Sequence, residues 1–86
     1  MAAVTIYTTN CCVFCLRAKD YLQSRGVDFE EIDVSDDDAA RAQLAERAHG
    51  RRTVPQIFVG DVHVGGYTDL VQLDREGKLR PLLFAS

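Results

Sequence analysis

The chain has no tryptophan, one methionine and only two prolines. No apolar stretch approaches the ~20 residues a membrane-spanning helix requires. A basic excess is also missing. Ten Lys and Arg stand against 13 Asp and Glu, for a net charge of −3 and a pI near 5.2. Nucleic acid and anionic membrane surfaces would meet repulsion, so neither is an expected partner. Nor are cysteines distributed as in a disulfide-stapled secreted domain, where they come in even numbers along the chain. Here there are 3, all inside Cys11-Cys12-Val13-Phe14-Cys15. The start, Met1-Ala2-Ala3-Val4-Thr5-Ile6, has no charged leader region. A reducing, cytoplasmic setting and chemistry at the thiols are therefore expected. A chain of 86 residues buries only about 60% of its unfolded surface, so one small domain over residues 1–86 is expected.

What is present is patterned. Val4–Thr8 is a β-branched and aromatic run of strand length, ending in a turn at Thr9-Asn10. From Val13 to Ser24 the apolar spacing becomes helical, with Cys15, Ala18 and Leu22 on one face and Gly26 as the stop. Residues 27–34 alternate as a half-buried strand, with one slip at Glu31. Ser35, followed by Asp36, Asp37 and Asp38, is read as a helix cap. That helix carries Ala40, Leu44 and Ala48, has Arg47 and His49 in its last turn, and ends at Gly50. Gln56–Val59 and residues 62–64 flank Gly60-Asp61 as a hairpin. Thr68 is placed as the cap of a helix over residues 69–76, and Leu79, Leu82 and Leu83 form a last helical stripe. The order is β-α-β-α-β-β-α with a terminal helical piece. It predicts an α/β fold, a four-stranded mixed sheet flanked by helices.

Cys12-Val13-Phe14-Cys15 is a C-x-x-C where a strand ends and a helix begins. Within the first helical turn the second sulfur comes round close enough to the first to close a disulfide ring. The first lies at a helix N-terminus, where unpaired N–H groups and the dipole favour a thiolate. A thiolate with a resolving thiol beside it is the apparatus of thiol–disulfide exchange. A zinc site would need two further ligands, and His49 and His63 have no ligand spacing, so no metal site is expected. Cys11 is read as a half-buried bystander. Tyr7, Tyr21, His49 and His63 are read as packing or surface residues, and the seven acids between Asp28 and Asp38 as a solvated face and cap.

Three segments together resemble the glutaredoxin family. V-T-I-Y-T-T-N-C-C-V-F-C from Val4 to Cys15, with Leu16-Arg17-Ala18-Lys19 after it, is similar to that family's first strand, active site and first helix. Thr53-Val54-Pro55-Gln56-Ile57-Phe58-Val59 is similar to its T-V-P-Q-[IV]-F segment, and Gly65-Gly66-Tyr67-Thr68-Asp69-Leu70 to its G-G-x-x-D-L segment. The resemblance implies a thioredoxin fold with Cys12 as nucleophile and Cys15 as resolving thiol. It further implies that glutathione lies among Cys12, Phe14, Thr53, Val54, Pro55, Gly66, Tyr67, Thr68 and Asp69. A cis peptide at Pro55 would open the Val54 backbone to the tripeptide, helix N–H groups would hold its γ-glutamyl carboxylate, and Asp69 its ammonium. Three positions depart from the family pattern: Val13 stands where proline is usual, Cys11 where Ser or Thr is usual, and Thr9 where Lys is usual. Arg51 or Arg52 is the candidate to replace that lysine's charge at the glycyl carboxylate.

The implied activity is glutathione-dependent reduction of protein–glutathione mixed disulfides and protein disulfides by a monomer, glutathione serving as co-substrate. Its partners are then glutathione and glutathionylated or disulfide-containing proteins. Two alternatives stand beside it. One is a thioredoxin-like reductant, disfavoured by the missing tryptophan before the first cysteine. The other is a carrier of a [2Fe–2S] cluster held by Cys12 and glutathione from two subunits, in keeping with the thiolate preference of such clusters.

Overall fold

The structure, a computed structural model, describes residues 2–51 and 53–84. Its elements are β1 (Val4–Thr8), α1 (Val13–Ser24), β2 (Glu30–Asp33), α2 (Asp38–Arg47), β3 (Gln56–Val59), β4 (Val62–Gly65), α3 (Tyr67–Arg75) and α4 (Leu79–Phe84). The strands form one sheet in the order β2-β1-β3-β4. β1 runs parallel to β2 and antiparallel to β3, and β4 is antiparallel to β3. This is the mixed four-stranded sheet expected from the element order. The Cα radius of gyration is 12.1 Å.

Alternation along the central strands builds two cores. Val4 and Ile6 of β1 and Ile57 and Val59 of β3 face Ala18 and Leu22 of α1, Leu70 of α3, and Leu79 and Leu83 of α4. Tyr7, Phe58 and Val34 face the opposite way, onto Leu44 of α2 and Ala48 at its C-cap. The apparent slip at Glu31 has its explanation here. Phe29 packs with the α1 core, whereas Ile32 and Val34 pack with the α2 core. Glu31, paired in register with Ile6, therefore points to the α1 face.

Several expected boundaries move, each for a hydrogen-bonding reason. β2 covers Glu30–Asp33 rather than residues 27–34. The Val27 N–H is already committed to the Leu22 carbonyl at 2.9 Å, and that of Gly26 to Gln23 at 3.0 Å, closing the end of α1 with Gly26 at φ 71°. α2 is capped by Asp37, whose Oδ1 accepts the Ala40 N–H at 2.9 Å. Ser35 instead holds the loop after β1, its Oγ accepting the Asn10 N–H at 2.8 Å. His49 lies beyond α2 in the left-handed region, φ 56°, where it lets the Gly50 N–H close back on Ala45 at 2.7 Å. α3 starts one residue before its expected cap. Gly66 is the N-cap, and Asp69 reaches back to its N–H at 2.9 Å.

Candidate functional site

The end of β1 delivers the chain to the N-terminus of α1, and Cys12 is the N-cap, extended at φ −125°, ψ 108°. Its Sγ accepts the Cys15 N–H at 3.1 Å. A sulfur carrying negative charge gains more from such a bond than a neutral one. The thiol in turn donates to the Val54 carbonyl at 3.7 Å, which ties the dithiol to the segment before β3. Cys15 is 1% exposed on the core face of α1. Burial, reinforced by its hydrogen bond to Cys12, pushes its thiol up to about 12. The two cysteines thus differ in access: Cys12 is half-buried at the surface and Cys15 sits behind it. Val13 and Phe14, between them, are 62% and 52% exposed.

Beside the dithiol lies a groove of about 180 Å³ lined by Phe14, Arg51, Thr53, Val54, Pro55, Gly66, Tyr67 and Thr68. Phe14, Thr53, Val54, Pro55, Gly66, Tyr67 and Thr68 are all among the residues expected from sequence. The other two, Cys12 and Asp69, flank it through Val54 and Gly66. The Val54–Pro55 peptide is cis. One wall is aromatic, the Phe14 and Tyr67 rings standing 6.1 Å apart, with the Arg17 guanidinium 5.5 Å from the centre of the Phe14 ring. The far end is charged, Arg51 lying 3.7 Å from Asp69 Oδ2. Arg51 is thus brought to the groove, while Arg52 lies outside the described residues. Thr9 does not line it.

Three features were missed or misplaced by the sequence. Cys11 is exposed rather than half-buried, because β1 has ended and its side chain has no face of the sheet to cover. Gln56 is completely buried. Its Nε2 donates to Thr53 Oγ1 at 3.1 Å, and its Oε1 contacts His63 Nε2 at 2.6 Å. This polar brace stands directly behind the groove, and the only trace of it in the sequence is an amide inside an apolar strand. His63 also stacks on Phe58 at 4.9 Å. Burial, followed by the nearby Arg51 charge, holds it below the usual imidazole range. Lastly, Glu31 Oε2 accepts from Thr8 Oγ1 at 2.6 Å and from Lys19 Nζ at 2.9 Å. Among the described residues no three His, Cys, Asp or Glu side chains converge as a metal site, and no helix is long and apolar enough to cross a membrane.

A four-stranded mixed sheet with a C-x-x-C at the first helix N-terminus and a cis proline facing it defines a thiol–disulfide oxidoreductase of the thioredoxin fold. The family model described as Glutaredoxin matches residues 4–64. The chain is 53% identical over 85 residues to a glutaredoxin of Pseudomonas aeruginosa, covering 99% of this chain and 100% of that one. To glutaredoxin 3 of Escherichia coli K12 it is 48% identical over 83 residues, covering 96% and 99%. A solved buckwheat glutaredoxin–glutathione complex superposes with a TM-score of 0.85 at 33% identity, over 95% of this chain and 76% of that one. The chain belongs to the glutaredoxin family.

Proposed function

We propose that this single-domain chain, as a cytoplasmic monomer, reduces protein–glutathione mixed disulfides and protein disulfides with glutathione as the electron donor. The observation that carries the reading is the hydrogen bond of Cys12 Sγ to the carbonyl of Val54, a residue of the groove wall. The groove suits a γ-glutamyl tripeptide. The N–H groups opening α3 favour a carboxylate, Asp69 is a partner for an ammonium, and Thr53 with Val54 offers an extended backbone edge. Arg51 supplies a cation for a carboxylate, the role that lysine would have filled at position 9. The buckwheat relative was solved as a complex with glutathione, which supports the same ligand here.

In the first step the Cys12 thiolate attacks the glutathionyl sulfur of a mixed disulfide and expels the protein thiolate, which takes up a proton. A second glutathione then attacks the Cys12 adduct, releasing glutathione disulfide and restoring the thiolate. Alternatively Cys15 attacks it, and the resulting Cys12–Cys15 disulfide is reduced by two glutathiones. Each exchange requires a thiolate and an accessible target sulfur. Cys12 is half-buried at the surface and can meet a substrate disulfide, whereas Cys15 is buried and acts only intramolecularly.

A glutathione-coupled assay on a glutathionylated protein tests this reading. Cys12→Ser is expected to lose all turnover. Cys15→Ser is expected to keep deglutathionylation and lose most reduction of protein disulfides. A dead Cys15→Ser beside an active Cys12→Ser would reverse the roles, and turnover driven by a flavoprotein thioredoxin reductase but not by glutathione would replace the reading with a thioredoxin-like one.

A further inference from the structure

The dithiol route asks a buried thiol to become a nucleophile, and Lys19 is the cation four residues on from it in α1. The two residues are one turn apart on α1, and helical side chains lean toward the N-terminus, so Lys19 reaches back over the turn that carries Cys15. Its ammonium does not float free. Glu31 Oε2 holds it at 2.9 Å and is itself held at 2.6 Å by the buried Thr8 hydroxyl at the end of β1. Glu31 can do this because its register with Ile6 turns it to the α1 face of the sheet. A cleft of about 720 Å³, lined by Leu16, Lys19, Gln23, Phe29 and Glu31 among others, opens beside the pair and gives water access to it.

We propose that Lys19 is the positioning residue for the resolving step, its charge steadying the sulfur of Cys15 as a thiolate while Glu31 tethers and partly offsets that charge. The proposal rests on the glutathione-dependent reading above. In the step it serves, the Cys15 thiol gives its proton to water, and the thiolate attacks Cys12 Sγ of the Cys12–glutathione mixed disulfide. The Cys12–Cys15 bond forms as the Cys12–glutathione bond breaks. Glutathione leaves as a thiolate and is protonated; one disulfide replaces another, the Cys15 sulfur being oxidised as the glutathione sulfur is reduced.

The surroundings agree. Lys19 acts on the Cys15 thiol against its burial, and the charge on Cys12 opposes it. β2 contributes Glu31 and Asp33, both within the field of Lys19. β1 contributes the Thr8 hydroxyl and the loop after it the Thr9 backbone. α3 brings Tyr67 and Asp74 to the different face of α1 that carries Phe14 and Tyr21.

The test is a single-turnover measurement on the full chain. Cys12 is loaded with glutathione, and the release of glutathione by ring closure is followed against pH, with capture of the glutathionyl group by Cys12 measured separately. Lys19→Gln is expected to slow ring closure relative to capture by roughly threefold to tenfold and to move its pH profile to the alkaline side, because the attacking thiol loses a cation that favours its ionised form. Lys19→Arg is expected to restore the profile. Glu31→Gln is expected to do the opposite of Lys19→Gln, moving the profile to the acid side, because the lysine charge is then unopposed. An unshifted Lys19→Gln profile, or equal losses in Lys19→Gln and Glu31→Gln without a shift, would overturn the proposal. Failure of the wild-type chain to take a glutathionyl group on Cys12 would instead overturn the reading on which it rests.

Discussion

Arg51 and Asp69 stand 3.7 Å apart at one end of the groove, each about half exposed. An ion pair so open to water contributes little to stability, which leaves both groups free to exchange partners when a charged ligand enters. A γ-glutamyl tripeptide carries two carboxylates and one ammonium, so it can take Asp69 by the ammonium and Arg51 by a carboxylate. Arg51→Ala is therefore expected to raise the KM for glutathione about two- to fivefold at low ionic strength, equivalent to roughly 0.5–1 kcal/mol, with little change in kcat. The difference should fade as salt is added. Steady-state assays at two salt concentrations check it, and an unchanged KM at low salt would take Arg51 out of the binding reading.

At the scale of the element, the junction of β4 and α3 is the most demanding piece of backbone near the site. Gly65 has φ 113°, a region that side-chain-bearing residues avoid, and a Cβ there would come within 2.5 Å of Asp69 Oδ2. Gly66 has an ordinary φ of −88°, and a Cβ on it would meet nothing nearer than 3.5 Å. The two adjacent glycines are thus unequal. Gly65→Ala is expected to destabilise the fold by about 1–3 kcal/mol and to displace Asp69 from the Gly66 N–H. Gly66→Ala should cost under about 1 kcal/mol, the loss of a good N-cap residue. Urea unfolding midpoints of the two variants decide this, and equal midpoints would contradict it.

Across the whole molecule, the two faces of the sheet are unequally covered. α1, α3 and α4 share one core, while α2 is the helix on the other, the buried contribution there being Leu44 and the C-cap residue Ala48. The C-x-x-C cysteines, the groove and the Lys19–Glu31 pair belong to α1, α3, β2 and the loop before β3, whereas α2 contributes no groove residue. With so small an apolar face, α2 is expected to open separately from the rest. Amide hydrogen exchange should show the α2 amides, Leu44 and Ala48 included, less protected than those of β1, β3 and the Ala18–Leu22 turn of α1. Equal protection in α1 and α2 would mean that the domain opens as one unit.

Much was legible in the sequence because it is local. Strand and helix periods, the C-x-x-C at a strand–helix junction, and the glycines and proline that punctuate the later segments each depend on neighbours within a few residues. From them the element order and the pair Cys12 and Cys15 could be named, and the resemblance to glutaredoxins added the groove residues from Thr53 to Asp69. What tertiary structure decided is non-local. Whether Ser35 or Asp37 caps α2 depended on Asn10, which claims the Ser35 hydroxyl from the loop after the neighbouring strand β1. That Gln56 braces Thr53 against His63 depended on how β3 and β4 pair. Glu31 looked like a slip in an alternating strand until parallel pairing with β1 turned it toward Lys19 and Thr8. A side chain's period is written in its own segment, but its partner is set by register and packing, which bring together residues far apart in the chain.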